Sequence, residues 1–152
     1  RVYGKGKTLK NTVKSGKILD KECTVENLQE RSASVQKRNA ELRAALCQHQ
    51  EVRINSPENA IPHILNLSVR DVKGTVFQRE LDAHGVCVSV KSACSSDGLP
   101  SRAVFAVSRD RRNALSSWRI SLSHLTTEAE IQEFLRVFDV CCQQLTAAHG
   151  DR

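Results

Sequence analysis

The sequence contains no methionine, one tryptophan, one tyrosine and three prolines in 152 residues. Several classes of function fall with these absences. No apolar run approaches the roughly 20 residues that span a bilayer, and the opening Arg1-Val-Tyr-Gly-Lys-Gly-Lys lacks the apolar core of a signal peptide. With so few aromatics, the interleaved stacking residues of a single-strand nucleic-acid groove are missing. No C-x-x-C occurs, and no Cys/His spacing resembles a zinc site, so no metal is expected. No histidine is followed by lysine. With no initiating methionine, the expectation is a chain that begins partway through a longer protein.

What charge there is lies unevenly. The net charge is +6. Arg1, Lys5, Lys7, Lys10, Lys14, Lys17 and Lys21 face one acid, Asp20, within the first 21 residues. The remainder is close to balanced. Residues 1–23 are read as a basic loop or disordered lead-in, and nucleic acid is not expected as a partner. Six cysteines are present and nothing marks them for secretion, so disulfides are not expected and the setting is read as reducing and cytoplasmic. Cys47, Cys87 and one of Cys141 and Cys142 fall in apolar patterns and are expected as small core residues.

Residues 24–148 read as one α+β domain. Thr24 caps a helix whose stripe is Val25, Leu28, Val35, Leu42 and Leu46, with Ser32 and Asn39 filling the gaps. Asn55-Ser-Pro-Glu-Asn is a turn. Leu65, Leu67 and Val69 alternate with Asn66 and Ser68 as a strand. Val72 to His84 is a helix with Val76, Phe77 and Leu81 inward, and Gly85 stops it. Val86–Val90 is a second strand, and Lys91–Pro100 a small, polar loop. Ser101 caps a short helix through Val107, and Arg109–Arg112 is a basic turn. Trp118, Ile120 and Leu122 share one face of a third strand, with Arg119, Ser121 and Ser123 on the other. Thr127 and Glu130 form a capping box ahead of Ile131, Phe134, Leu135, Phe138, Cys142 and Leu145. Leu65, Leu67, Val88, Ile120 and Leu122 are expected in one core, a small sheet covered by helices.

Two residues do not reduce to core building. Cys94 sits among small polar residues three positions from Lys91, where a cation favours the thiolate; an inert loop thiol is the plainer alternative. It is expected to be the exposed cysteine. Arg119 occupies the polar side of a strand with a strongly apolar back. It could clamp a carboxylate with two parallel hydrogen bonds, or it could be a solvated strand arginine.

Ser92-Ala-Cys-Ser-Ser96, Ser116-Ser-Trp-Arg-Ile-Ser-Leu122 and Thr126-Thr-Glu-Ala-Glu-Ile131 occur in that order. Together with Pro62-His-Ile-Leu-Asn-Leu-Ser68 and Leu81-Asp-Ala-His-Gly-Val-Cys-Val-Ser89, they resemble the C-terminal region of NifS/IscS-type cysteine desulfurases, within the class-V aminotransferase family. The resemblance runs from about Leu28 to Leu145. It departs from the family pattern at Val90-Lys91, where Ser-Gly is common, and at Ser123-His-Leu125, where Gly-Arg-Phe is common.

The resemblance implies the small C-terminal domain of a fold-type I pyridoxal-phosphate enzyme that turns L-cysteine into L-alanine. Cys94 would accept the sulfur as a persulfide and Arg119 would hold the substrate carboxylate. The cofactor lysine would belong to a large domain absent from these residues, leaving this chain inactive alone. The implied partners are a second copy of the complete chain and a sulfur acceptor, such as an iron–sulfur scaffold or a tRNA-thiolation protein. The alternative is a non-catalytic domain of the same fold that carries sulfur or binds a partner.

Overall fold

A computed structural model of the chain describes residues 25–90 and 99–147. The elements run α1 (Val25–Leu46), β1 (Val52–Ile54), β2 (Ile64–Val69), α2 (Gly74–Ala83), α3 (Arg102–Ser108), α4 (Arg111–Ser116), β3 (Ser117–Ser121) and α5 (Glu128–Ala147). The strands form one antiparallel sheet, ordered β1-β2-β3. Helices α1, α2 and α5 cover its apolar face, and α4 lies against β2 on the other. The α+β expectation is met.

Register explains why the two faces differ. Leu65 pairs with Ile120 and Leu67 with Trp118, while Asn66 pairs with Arg119 and Ser68 with Ser117. Directly paired residues of an antiparallel ladder point to the same side, so one face is apolar and the other polar. On the apolar face Trp118 stacks on Phe77 with ring centroids 5.2 Å apart, and Phe134 and Phe138 close the cluster. Such pairs add about 0.5–1.5 kcal/mol each beyond the area they bury. Leu65, Leu67, Ile120 and Leu122 are buried in this core, and Val88 packs against its edge.

The helices form for local reasons. Thr127 and Glu130 make the reciprocal capping box. The Glu130 carboxylate accepts from the Thr127 amide at 2.8 Å, and the Thr127 hydroxyl accepts from the Glu130 amide at 3.2 Å. The Thr127 amide and hydroxyl hold the Glu130 carboxyl below the usual range. Behind that cap, the stripe expected from the sequence is buried or half-buried throughout. The Ser101 hydroxyl accepts from the Val104 amide, capping α3 as expected. In α1, Asn39 fills its place in the stripe by donating to the Pro62 carbonyl and accepting from Arg43, which in turn donates to the carbonyls of Ser56 and Pro57. That satisfies a buried amide and pins α1 to the turn before β2.

Several expectations are corrected. Thr24, the expected cap of α1, lies outside the described residues. Leu28 is 66% exposed and Ser32 is exposed. Arg38 meets Glu128, the first residue of α5, and Leu28 lies ten positions earlier, about 15 Å further along the helix axis. Val76 is exposed because it lies one position from Phe77, and only Phe77 and Leu81 face inward. Residues Val86–Val90 do not form a strand: Ser89 alone bridges to Arg119, and the Gln78 side chain takes the Val88 carbonyl. The basic turn at 109–112 ends at Arg109, whose left-handed φ of 55° stops α3. Asp110 then caps α4 by accepting from the Asn113 amide. Strand β1 was not anticipated. Its three residues earn their place only by pairing with β2, Val52 opposite Val69.

Gly74 opens α2 against the start of β3. A β-carbon there would lie 2.5 Å from the Ser117 carbonyl oxygen, which is backbone and cannot swing away. Gly74→Ala is therefore expected to destabilise the fold by about 1–3 kcal/mol, the usual cost of overpacking. Urea unfolding of the two proteins measures it, and an unchanged midpoint would contradict the close approach.

Candidate functional site

The polar face of the sheet presents Arg119 beside Asn66, with Ser89 on its other flank. Ser89 and Arg119 exchange both backbone hydrogen bonds, at 3.1 and 2.7 Å. The residues after Val90 thus leave from a point fixed against Arg119. The guanidinium is half-buried, and its Nε is enclosed without a partner among the described residues. A buried donor that lacks an acceptor carries a desolvation cost, and a carboxylate seated there would remove it.

Around Arg119 the polar residues are mutually satisfied. Asn55 donates to the Asn66 side chain at 2.9 Å and to the Ser68 hydroxyl at 2.8 Å, and Asn113 donates to Asn55 at 2.9 Å. Ser68 in turn donates to the Asn113 carbonyl at 3.0 Å. This network locks β2 to α4 and leaves Asn66, the cross-strand neighbour of Arg119, in one orientation. Sequence reasoning did not single out Asn55, Asn66 or Asn113. The alternation of Asn66 with Leu65 and Leu67 marked its face, while its partners lie far off in sequence. A groove of about 330 Å³ borders Asn66, with Asn55, Ser101 and Val104 in its wall. A second cavity of about 250 Å³ is lined by Lys73, Val90, Leu99 and Ser117. Val90 and Leu99 flank the segment that carries Lys91 and Cys94, and both of those residues lie outside the described residues.

The other cysteines divide differently from expectation. Cys47 and Cys87 are exposed, Cys141 and Cys142 buried, and all four are free thiols. Cys47 follows the last helical residue and turns outward. Cys87 alternates with Val86 and Val88, which take the inward positions. Burial and the nearby Glu80 carboxylate push the Cys141 thiol up. Burial and the Glu51 carboxylate push Cys142 up to about 12.

The resemblance implies pyridoxal phosphate, and the described residues do not fit its anchoring. The described lysines are Lys37, paired with Glu41 on α1, and Lys73, the exposed residue before α2. Lys37 is committed to its ion pair, and Lys73 lines the cavity it shares with Val90 and Ser117. What the polar face offers is a half-buried guanidinium with an unpartnered Nε.

Comparison with known proteins assigns the frame. Residues 15–134 match the family described as Aminotransferase class-V. The chain belongs to this family. Over 149 residues it is 29% identical to a cysteine desulfurase IscS of Clostridium botulinum, covering 93% of this chain and 37% of that protein. A cysteine desulfurase of Cereibacter sphaeroides is 33% identical over 95 residues, 62% of this chain and 24% of that protein. Among solved structures, a NifS-like protein from Rickettsia africae superposes with a TM-score of 0.65 at 25% identity. It covers 76% of this chain and 30% of that one. Another NifS-like protein gives 0.64 at 27% identity. The resemblance to NifS/IscS-type proteins and the fold-type I frame therefore hold. The chain spans little more than a third of the length of the first of these relatives. No helix among the described residues is long and apolar enough to cross a membrane.

The thiol environments generate a pH prediction. The native state keeps the Cys142 proton between the ordinary thiol value of 9.0 and about 12, where the unfolded chain loses its own. The folded value is the raised one. This group's contribution to stability is therefore complete below pH 9 and falls as pH rises toward 12. Unfolding midpoints taken from pH 8 to 11 should fall more steeply for the unmodified chain than for Cys142→Ala. Parallel curves would contradict the burial of this thiol.

Proposed function

We propose that the chain is the small domain of a cysteine desulfurase, spanning residues 24–148, with residues 1–23 a basic lead-in. In the complete protein Cys94 would take sulfur from L-cysteine and Arg119 would bind the substrate carboxylate. The observation that supports this most is the Ser89–Arg119 bridge. It fixes the base of the segment carrying Ser92-Ala-Cys94 to the backbone of a half-buried arginine with an unpartnered Nε. Cys94 lies five residues beyond Ser89, so the chain limits its Cα to within about 17–18 Å of that bridge. Loop and clamp would serve one substrate.

The net reaction balances without an outside oxidant. A Cys94 thiol and L-cysteine give a Cys94 persulfide and L-alanine: the substrate carbon–sulfur bond breaks, a sulfur–sulfur bond forms, and the carbon takes a proton. Pyridoxal phosphate, held by residues outside this chain, would supply the electron sink that makes the substrate bond labile. This chain's share is orientation and the nucleophile. Arg119 would present two parallel N–H donors to the carboxylate. The neighbouring Asn66, held by Asn55, would keep the clamp wall rigid. Cys94 would attack as thiolate and pass its persulfide on by thiol exchange.

The complete protein would act as a homodimer in the cytoplasm, where thiols stay reduced. Its persulfide would go to an acceptor protein, either an iron–sulfur scaffold or a tRNA-thiolation partner.

In the complete enzyme, Arg119→Ala should weaken cysteine binding by about 1.5–3 kcal/mol, the worth of hydrogen bonds to a charged group. Fold stability should change little, because the side chain has no partner among the described residues. Steady-state alanine formation against cysteine concentration measures the effect, and an unchanged cysteine dependence would sink the assignment.

The 152-residue chain given pyridoxal phosphate and cysteine should release no alanine, while Cys94 should still take up sulfur from a persulfide donor. Adding a large domain that carries the cofactor lysine should restore turnover. Turnover by the 152-residue chain alone would overturn the reading of it as a domain lacking the cofactor lysine. Persulfide uptake without turnover, even after that addition, would favour a non-catalytic sulfur carrier.

A further inference from the structure

The turn between α1 and β1 meets the last half of α5 on the side of the domain away from Arg119. His49, Glu51 and Cys142 converge there, with their nitrogen, oxygen and sulfur atoms all within 4.8 Å of one another. The Cys142 sulfur lies 3.2 Å from Glu51 Oε1, and His49 Nδ1 lies 3.8 Å from the same oxygen. We propose that these three side chains form a binding site for a zinc-class divalent cation, with a fourth coordination position open to solvent. The proposal stands apart from sulfur transfer and does not depend on it.

Geometry carries it. Tetrahedral zinc, with bonds of about 2.0–2.3 Å, sets its donors about 3.3–3.7 Å apart. The two separations from Glu51 lie at the edges of that range and the third is within 4.8 Å, so side-chain rotation of about an ångström or less would bring the three donors onto one ion. The imidazole is already aimed. Its Nε2 stands 3.1 Å from Asp139 Oδ1, and a proton carried on that nitrogen would leave the Nδ1 lone pair free on the side of Glu51. A ligand histidine whose far nitrogen is held by a carboxylate is the usual outer support of such sites. Phe138 holds the ring edge-on at a centroid distance of 5.2 Å.

The backbone is equally constrained. The Val52 amide donates to the His49 carbonyl at 3.1 Å, and the Arg70 amide to the Glu51 carbonyl at 2.8 Å. Asp139 and Cys142 stand three apart on α5, the spacing that puts two side chains on one helical face. Burial separates the donors usefully. Cys142 is fully enclosed, while His49 and Glu51 are about one-quarter and one-third exposed, so a cation can enter from their side.

The donor set selects the ion. A mixed nitrogen, oxygen and sulfur set suits zinc and cobalt(II), whereas calcium and magnesium take oxygen ligands. On binding, the Cys142 S–H bond breaks, a sulfur–metal bond forms and the proton leaves to solvent; no electron changes hands. The bound ion would tie α5 to the α1–β1 turn.

The test uses the whole chain, stripped with a chelator and kept reduced with a phosphine. Cobalt(II) is titrated in while the near-ultraviolet thiolate-to-cobalt absorption is followed, and equilibrium dialysis gives the stoichiometry. One equivalent should bind with that absorption, and zinc should displace it. Cys142→Ala should abolish the absorption, and Asp139→Asn should weaken affinity about 10–100-fold. His49→Gln removes a donor outside the core, so it serves if Cys142→Ala fails to fold; at least about tenfold weaker binding is expected. No cobalt uptake, an absorption that persists in Cys142→Ala, or unchanged affinity in His49→Gln would each overturn the site.

Discussion

Trp118 is buried in a stack of aromatic rings, and that placement decides where Arg119 points. Successive residues of a strand face opposite sides. Once the indole is stacked on Phe77 and packed against Phe138, the guanidinium has no choice but the polar face. The apolar core and the placement of the candidate clamp are therefore one decision made at two adjacent residues. A register slip of one position would bury the arginine and expose the tryptophan, so the ladder with β2 is strongly specified. The close approach of α2 at Gly74 holds β3 from its first residue, and the Asn55–Asn66–Ser68–Asn113 network holds the other face.

Much of this could be read in the sequence, for reasons that can be named. The alternation at Trp118–Ser123 and at Leu65–Val69 survives because each strand has one wet face and one dry one. The capping box at Thr127 is a local pattern of two residues and forms as a local pattern should. Gly85 takes the positive φ of 80° that its place after α2 required. The failures share a different cause. Strand β1 is three residues long and exists through a partner distant in sequence. Residues Val86–Val90 have a strand's composition, but a glutamine from α2 claims one of the carbonyls the ladder needed. Cys47 and Cys87 sit in apolar surroundings along the chain and in outward positions in space.

The candidate site divides in the same way. Arg119 was legible from alternation, and its neighbour Asn66 was not picked out, because nothing in sequence links it to Asn55 or Asn113. His49, Glu51 and Cys142 escaped entirely. Metal spacings are recognisable when ligands lie within a few residues of one another, and here the third donor comes from a helix more than 90 positions later. Only the meeting of α5 with the α1–β1 turn brings them together.

The enclosed indole has one more consequence. The sequence has a single tryptophan, so the intrinsic fluorescence of the chain arises almost wholly at Trp118, one peptide bond from Arg119. Emission wavelength would follow hydration of the core and, through the loss of the Phe77 stack that shelters the indole, the seating of α2. Unfolding and occupancy of the polar face could thus be watched in the unlabelled chain, through one chromophore fixed by the same ladder that aims the guanidinium.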